Sequence, residues 1–321
     1  MRTNVIPSEE KSPQTKTAGR TGYRIFNQAE RFAQGWYWVV RSHTLTHKRP
    51  QSLSFLGQQL TLFRQASGHP VAVNTQTYRD LKQKAQIESI ISTWPIAERY
   101  GLVWLWIGDE GTEVGPLPHV PELGDRTCDA LLGGEFNRKC HPNVLLINAI
   151  DANHFNSVHN LPLDIRFDIQ ALNNSAIEFH NTTRGGEASR FVRFIRPLYS
   201  NEVTYSMCYW YGNTGTVTLG PDFLHFYLMF ALRPGEGGTT EGQMIMLTPS
   251  KTGIKGWLFN QLLLRITQLV AAYFAKGDRH VFDSIRFDFR VPLAADRSIS
   301  QFIKHVEKQP ALAWKTWKLK T

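Results

Sequence analysis

Residues 148–160 read NAIDANHFNSVHN, and this polar stretch constrains the fold more than any other part of the chain. His154 and His159 are imidazoles that suit iron, zinc or copper, and Asp151 adds a carboxylate. Asn148, Asp151 and His154 form a stripe at three-residue spacing. A five-residue step on an ideal helix turns about 140°, so both histidines reach one ion only if the helix is broken or widened here. Two interpretations stay open: a metal site, or polar residues that cap or cover a helix.

The composition is that of a soluble globular protein. The chain has 321 residues, of which 42% are apolar and 20% charged, enough for one large domain or two ordinary ones. The net charge of +9 suits an acidic electron-transfer partner, nucleic acid or an anionic membrane, or simply a solvated basic surface. Nucleic acid is the least favoured of these, because no basic run is interleaved with aromatic residues.

The cysteine count and the N-terminus indicate the compartment. Three cysteines, none in a C-x-x-C or C-x-H pair, indicate a reducing, cytoplasmic setting without a disulfide framework. Residues 1–22 are polar and have no apolar core. We therefore expect a disordered tail here and not a signal peptide.

Aromatic and β-branched segments predict strands in two groups. Residues 35–45, 51–73 and 101–109 predict a small β domain, followed by a proline-marked linker that begins at Pro116. Five further segments predict an antiparallel sheet: 176–184, 189–200, 203–212, 222–232 and 242–249. With a long helix over 255–276, the predicted fold class is α+β.

The apolar run from Trp257 to Phe274 lies within that long helix. It is interrupted by Asn260, Arg265 and other polar residues, whereas a spanning helix needs about 20 mostly apolar residues. The first interpretation is a buried helix. The second is an amphipathic helix in peripheral contact with a membrane.

The opening stretch resembles a known family. NAIDANHFNSVH is similar to the N-x-x-D-x-x-H-x-x-x-x-H motif in the catalytic domain of Rieske non-haem iron oxygenases. Residues 29–42, 56–73 and 94–109 resemble strands around that family's cluster domain, and GDRHVFDSIRFD at 277–288 resembles its late ligand segment. The resemblance implies a tail over 1–22, a degenerate Rieske-like β domain over 23–115, and a helix-grip catalytic domain over 116–321.

The resemblance also implies roles for individual residues. His154, His159 and Asp278 would bind one Fe(II) and leave an open face for O₂ and substrate. Asp151 would be the acid that links this site to a Rieske cluster in a neighbouring subunit. Asn148 would lie beside the iron.

The third-ligand segment departs slightly from the family pattern. Gly277 precedes Asp278, where the family usually has an acidic residue. His280 competes for a metal role, although a plain polar residue on the same helix is the simpler interpretation.

The family's cluster ligands are missing. A Rieske [2Fe–2S] centre needs two thiolates and two imidazoles, yet no cysteine or histidine lies between Val73 and Trp94. Cys128 and Cys140 lie beyond that domain. We therefore expect no cluster in this chain, and electrons from a partner that carries one or from a ferredoxin and reductase. The implied assembly is a trimeric hetero-oligomer.

Substrate residues can be proposed only by position. A cavity between the sheet and the long helix would be lined by Phe155, Phe223, His225 and Tyr227, with Phe226 and Met229 as further wall residues; for each, a plain structural role is the alternative. The sequence leaves hydroxylation, demethylation and desaturation open. Two other functions also stay open: a non-catalytic structural or regulatory subunit, and a carrier of a hydrophobic ligand.

Overall fold

A computed structural model describes residues 22–28, 30–84, 92–151, 154, 166–184, 202–221, 223–284, 287, 289 and 296–312. For 182–184, 202, 203 and 276–284 it describes the backbone alone.

The N-terminal part forms two small antiparallel sheets. One has the order β1-β6-β5, and the other the order β2-β3-β4. Their strands are β1 (Gly35–Arg41), β2 (Gln51–Phe55), β3 (Gln58–Arg64), β4 (Pro70–Asn74), β5 (Ile96–Arg99) and β6 (Leu102–Ile107). Gly57 and Gly101 have positive φ in two-residue hairpin turns, where glycine avoids a steric penalty.

A helix follows β4 where the sequence suggested no regular structure. This helix, α1 (Thr75–Gln83), begins after Asn74, whose side chain accepts a hydrogen bond from the Gln76 amide at 2.9 Å. Asparagine is a favoured residue at this capping position. The segment between β4 and β5, where the family resemblance would place cluster loops, thus begins with a helix.

The C-terminal part is built on one seven-stranded antiparallel sheet. Its order is β7-β13-β12-β11-β10-β9-β8. The strands are β7 (Cys128–Arg138), β8 (Asp168–Ala171), β9 (Ala176–Arg184), β10 (Glu202–Trp210), β11 (Thr214–Pro221), β12 (Phe226–Pro234) and β13 (Thr240–Pro249). The predicted strand over 189–200 lies outside the described residues.

The two faces of this sheet contact different layers. Side chains alternate between faces along a strand, so Cys208 and Trp210 pack with Trp36, Trp38 and Trp104 of the first part. The Asn213 side-chain amide also donates to the Trp36 carbonyl at 3.1 Å. The two parts therefore share an apolar core, and their division near residue 115 stays a prediction.

Helices cover the other face. Met207 and Tyr209 pack there with α2 (Pro142–Ile147), α3 (Gly253–Ser284) and α4 (Arg297–Lys308). The long helix α3 extends beyond its predicted end at residue 276 and includes Asp278. The α+β class with an antiparallel sheet and one long helix is confirmed, and the sequence missed α4, β11 and the length of β7.

The long helix is only partly buried. Within an 18-residue window of its apolar section Gly253–Ala275, 28% of the residues are buried. The prediction of a buried helix is therefore wrong for the side of α3 that faces away from the sheet. The opposite side packs on β7, β12 and β13.

Candidate functional site

The motif segment does not form one continuous helix. The α2 helix ends at Ile147, a 3-10 turn covers Asn148–Ile150, and Asp151 has an extended backbone with φ −89° and ψ 105°. His154 is again helical, and its amide donates to the Asp151 carbonyl at 3.1 Å. The ideal-helix stripe expected from the spacing is therefore wrong. This break lies before His154, and the five-residue step from His154 to His159 falls outside the described residues.

Three side chains bind the carbonyls that the broken helix leaves without partners. The hydroxyl groups of Tyr209 and Tyr205 in β10 donate to the carbonyls of Leu146 and Ala149 at 2.6 and 2.9 Å. Ser298 in α4 donates to the Ile150 carbonyl at 2.7 Å. Carbonyls at a helix end need such hydrogen-bond donors. The backbone just before Asp151 is thus held from both the sheet and α4.

The other end of α2 is capped by a buried histidine. The His141 Nδ1 atom accepts a hydrogen bond from the Asn143 amide at 3.2 Å, which fixes Nδ1 as the unprotonated nitrogen. Its ring stacks on Phe32 with centroids 5.1 Å apart. Burial lowers the pKa of His141 to about 4. The neutral ring is therefore the form that the fold retains.

Two buried histidines should make stability depend on pH. Burial lowers the pKa of His305 in α4, like that of His141, to about 4. Between about pH 4 and 6.5 the unfolded chain binds protons that the folded chain does not, so the free energy of unfolding falls as the pH falls. We expect about 2 kcal/mol to be lost per histidine between pH 7 and pH 5.

Denaturant titrations at several pH values measure this slope. His141→Asn is the matched variant, because asparagine keeps an acceptor for the Asn143 amide and is a good capping residue. It should reduce the slope by about half. An unchanged slope in both His141→Asn and His305→Asn would contradict this assignment.

The described residues of the motif form a largely buried polar group. The side chains of Asn148 and His154 are buried, and Asp151 is half-buried. Among the described residues, the Asn148 Nδ2 atom has no hydrogen-bond acceptor. A buried amide donor without an acceptor costs free energy unless something else contacts it. The unsatisfied donor therefore fits a site at which a further acceptor group contacts Asn148.

The full ligand set lies partly outside the described residues. His159 and Phe155 fall outside them, and Asp278 and His280 are described by their helical backbone alone. Within the described part of the chain, no three histidine, cysteine, aspartate or glutamate side chains form a metal-binding group. The assignment of His154, His159 and Asp278 as ligands therefore stays a prediction.

The described residues among those suggested to contact substrate do not line one common surface. Phe223 is 61% exposed, and Tyr227 and Met229 pack on the sheet face opposite to the motif segment. His225 lies against Tyr227, with ring centroids 6.1 Å apart. Side chains alternate along a strand, so Leu228 points toward α3 and its neighbours Tyr227 and Met229 point away from it. Tyr227 and Met229 therefore do not line a cavity between the sheet and α3.

The sheet face that does contact the motif segment carries other side chains. They alternate along β10, β11 and β12: Tyr205, Met207, Leu219, Leu228 and Phe230. Within β10, taking every second residue from Tyr209, whose neighbour Trp210 packs on the other face, would have identified Tyr205 and Met207. What the sequence lacked was the sheet order that says which face meets the helices.

Two of the cavities among the described residues lie away from the motif, and neither is lined by Asn148, Asp151 or His154. One, of about 200 Å³, lies beside Phe32, Cys140 and His141. The other, of about 240 Å³, lies between β8–β9 and α4, against Arg297 and His305.

Curated proteins with similar sequences are oxygenases. The chain is 23% identical over 192 residues to 4beta-methylsterol monooxygenase of Methylococcus capsulatus strain Bath, covering 48% of this chain and 49% of that protein. It is 31% identical over 77 residues to the vanillate O-demethylase oxygenase subunit of Pseudomonas sp. strain HR199, covering 24% and 22%. It is 25% identical to cholesterol 7-desaturase of Caenorhabditis elegans, covering 42% and 41%. The chain spans about half or less of these relatives.

Solved structures of oxygenases share the fold. Dicamba monooxygenase bound to 3,6-dichlorosalicylic acid matches with a TM-score of 0.54 and 15% identity, covering 86% of this chain and 96% of that one. The oxygenase of carbazole 1,9a-dioxygenase, in a reduced complex with ferredoxin, matches with a TM-score of 0.54 and 14% identity, covering 86% and 89%. No model of a protein family matches the chain.

Proposed function

We propose that the chain is the catalytic subunit of a Rieske-type oxygenase, with one mononuclear Fe(II) and no cluster of its own. It would use O₂ to hydroxylate or demethylate a small organic substrate. The single observation that carries this proposal is the largely buried polar group of Asn148, Asp151 and His154, in which the Asn148 Nδ2 atom has no acceptor among the described residues. The similarity to monooxygenase and demethylase proteins supports it.

His154, His159 and Asp278 would hold the iron, as two imidazoles and one carboxylate suited to Fe(II). Bound there, ferrous iron would supply the O₂ chemistry. The chain's own part would be to position the ligands, and this is supported by the hydrogen bonds of Tyr205 and Ser298 to the backbone just before Asp151. Asn148 would donate its unsatisfied Nδ2 hydrogen to a group at this site.

Electrons would arrive from a separate protein. The chain has no cysteine or histidine between Val73 and Trp94, and α1 begins directly after β4. The net charge of +9 favours an acidic redox partner. A Rieske [2Fe–2S] protein that docks near Asp151 is the economical donor.

Asp151→Asn should separate iron binding from electron delivery. The amide keeps the size of the side chain but removes its charge and one acceptor. We expect iron content to stay within about twofold of wild type and steady-state turnover to fall at least about tenfold. Loss of iron together with turnover would instead make Asp151 a residue of the metal site itself.

The proposed function is tested by supplying different electron donors to the iron-loaded chain. Formaldehyde release from a panel of methylated and methoxylated substrates, together with O₂ consumption, reports activity. We expect turnover with a reduced Rieske protein from the native host and little with a plant-type ferredoxin and reductase. Robust turnover with the simple ferredoxin would contradict the separate Rieske donor, and no turnover with any donor would favour a structural subunit.

A further inference from the structure

The long helix α3 has two apolar faces, and only one of them is covered by the sheet. The inner face packs on β7, β12 and β13 through Asn260, Leu263, Leu264, Thr267 and Ala271. The Asn260 side-chain amide also donates to Asp129 at 2.8 Å and to the Pro249 carbonyl at 2.9 Å. This face holds α3 on the sheet.

The other face, the outer face of α3, exposes a continuous apolar stripe. Its residues recur every three or four positions, and Ile254 is 80% exposed. The stripe runs about 29 Å along the helix and contains Ile254, Leu258, Leu262, Ile266, Leu269 and Tyr273, with Trp257 and Phe259 beside it. Single exposed apolar residues are ordinary, but a stripe of this size marks an interaction surface.

The charged residues of the α3 segment itself are all basic up to Gly277. Between Ser250 and Gly277 the sequence has four basic residues and no acidic one: Lys251, Lys255, Arg265 and Lys276. The Lys251 ammonium lies 3.8 Å from the centre of the Phe259 ring, so basic and aromatic groups share this surface. Trp257 and Tyr273 lie near opposite ends of the stripe. An apolar face with basic residues and aromatic ends fits the interface of an anionic bilayer.

We propose that the outer face of α3 binds the surface of an anionic lipid bilayer. By length and composition, Gly253–Ala275 is also sufficient to cross a membrane. The inner face and the Asn260 hydrogen bonds hold the helix on the sheet, so it lies on the bilayer and does not span it. This is the second interpretation of the segment from its sequence, and the exposure of the stripe is what favours it.

A second copy of the chain fits this surface less well. A two-fold pairing of outer faces would bring Arg265 and Lys255 of two copies together with no acidic residue of the same face to offset them. The helix continues to Asp278, about one and a half turns beyond Tyr273. Docking would therefore place that end of the helix at the lipid surface, whatever reaction the chain catalyses.

Vesicle flotation of the full chain tests this proposal. The probes are vesicles of phosphatidylcholine alone and of phosphatidylcholine with about one quarter phosphatidylglycerol. We expect binding to the anionic vesicles that weakens with added salt. Leu262→Asp and Leu269→Asp should each lower the partition coefficient at least about tenfold, because each puts a charge where an apolar side chain inserts.

Val114→Asp is the matched control, because it changes another exposed apolar residue far from α3 in sequence to the same charge. It should bind vesicles like wild type, and circular dichroism should show all three variants folded. Absence of vesicle binding by wild type overturns the proposal. So does a dimer in solution that Leu262→Asp dissociates while vesicle binding is absent, since that result assigns the face to a second copy. Equal loss in Val114→Asp also overturns it.

Discussion

Replacing His154 by alanine is expected to abolish stoichiometric iron binding and to lower turnover at least about 100-fold. His154 is buried, and its amide is fixed on the Asp151 carbonyl at the break after α2. A chain that loses one of three protein ligands retains an incomplete site with little affinity for Fe(II). Iron content after anaerobic reconstitution and formaldehyde release measure the two effects separately.

Two further variants make this test specific. Asp278→Ala should behave like His154→Ala, because the family resemblance gives Asp278 as the third ligand. His280→Ala is the matched control two residues along the same helix, and it should keep its iron. If His280→Ala loses iron and Asp278→Ala keeps it, the late ligand has been assigned to the wrong residue.

Trp210→Ala should lower the free energy of unfolding by about 4 kcal/mol. Trp210 is 1% exposed and packs in the core that joins the seven-stranded sheet to β1 and β6. Its indole N–H donates to the His119 carbonyl at 2.9 Å, and its ring lies 4.6 Å from that of His119. The variant leaves a cavity and removes a donor from a part-buried carbonyl. Urea unfolding should show a lower midpoint.

Trp257→Ala is the control for this effect. It removes the same side chain from the outer face of α3, where Trp257 is 54% exposed. Its free energy of unfolding should change by less than about 0.5 kcal/mol. Equal destabilisation by the two substitutions would contradict the assignment of one tryptophan to the core and the other to the surface.

Strong local patterns explain which elements the sequence predicted. The β1 and β6 segments are rich in tryptophan and valine, and they form strands as expected. The α1 segment is polar and has no buried residue, so no apolar periodicity marked it as a helix. The α3 helix runs past Lys276 through Gly277, where one interior glycine costs only about 1 kcal/mol.

The candidate site was predictable in residue type but not in arrangement. His154 and Asp151 were identified by spacing and resemblance, whereas the broken helix depends on hydrogen bonds from Tyr205 in β10 and Ser298 in α4. These residues are distant in sequence, so no local pattern points to them. Tyr227 was expected on the wrong face of the sheet for a similar reason. The alternation of a strand shows that it has two faces but not which elements pack on each.

Metal and sulfide analysis of the reconstituted wild-type chain tests the central claim most directly. A mononuclear site without a cluster requires about one iron per chain and essentially no acid-labile sulfide. We expect that result, with the iron lost in His154→Ala. About two additional irons with two sulfides per chain would show that the polypeptide carries its own [2Fe–2S] centre. A wild-type chain that binds no iron would have this fold but no oxygenase site. Either result would contradict the proposed function.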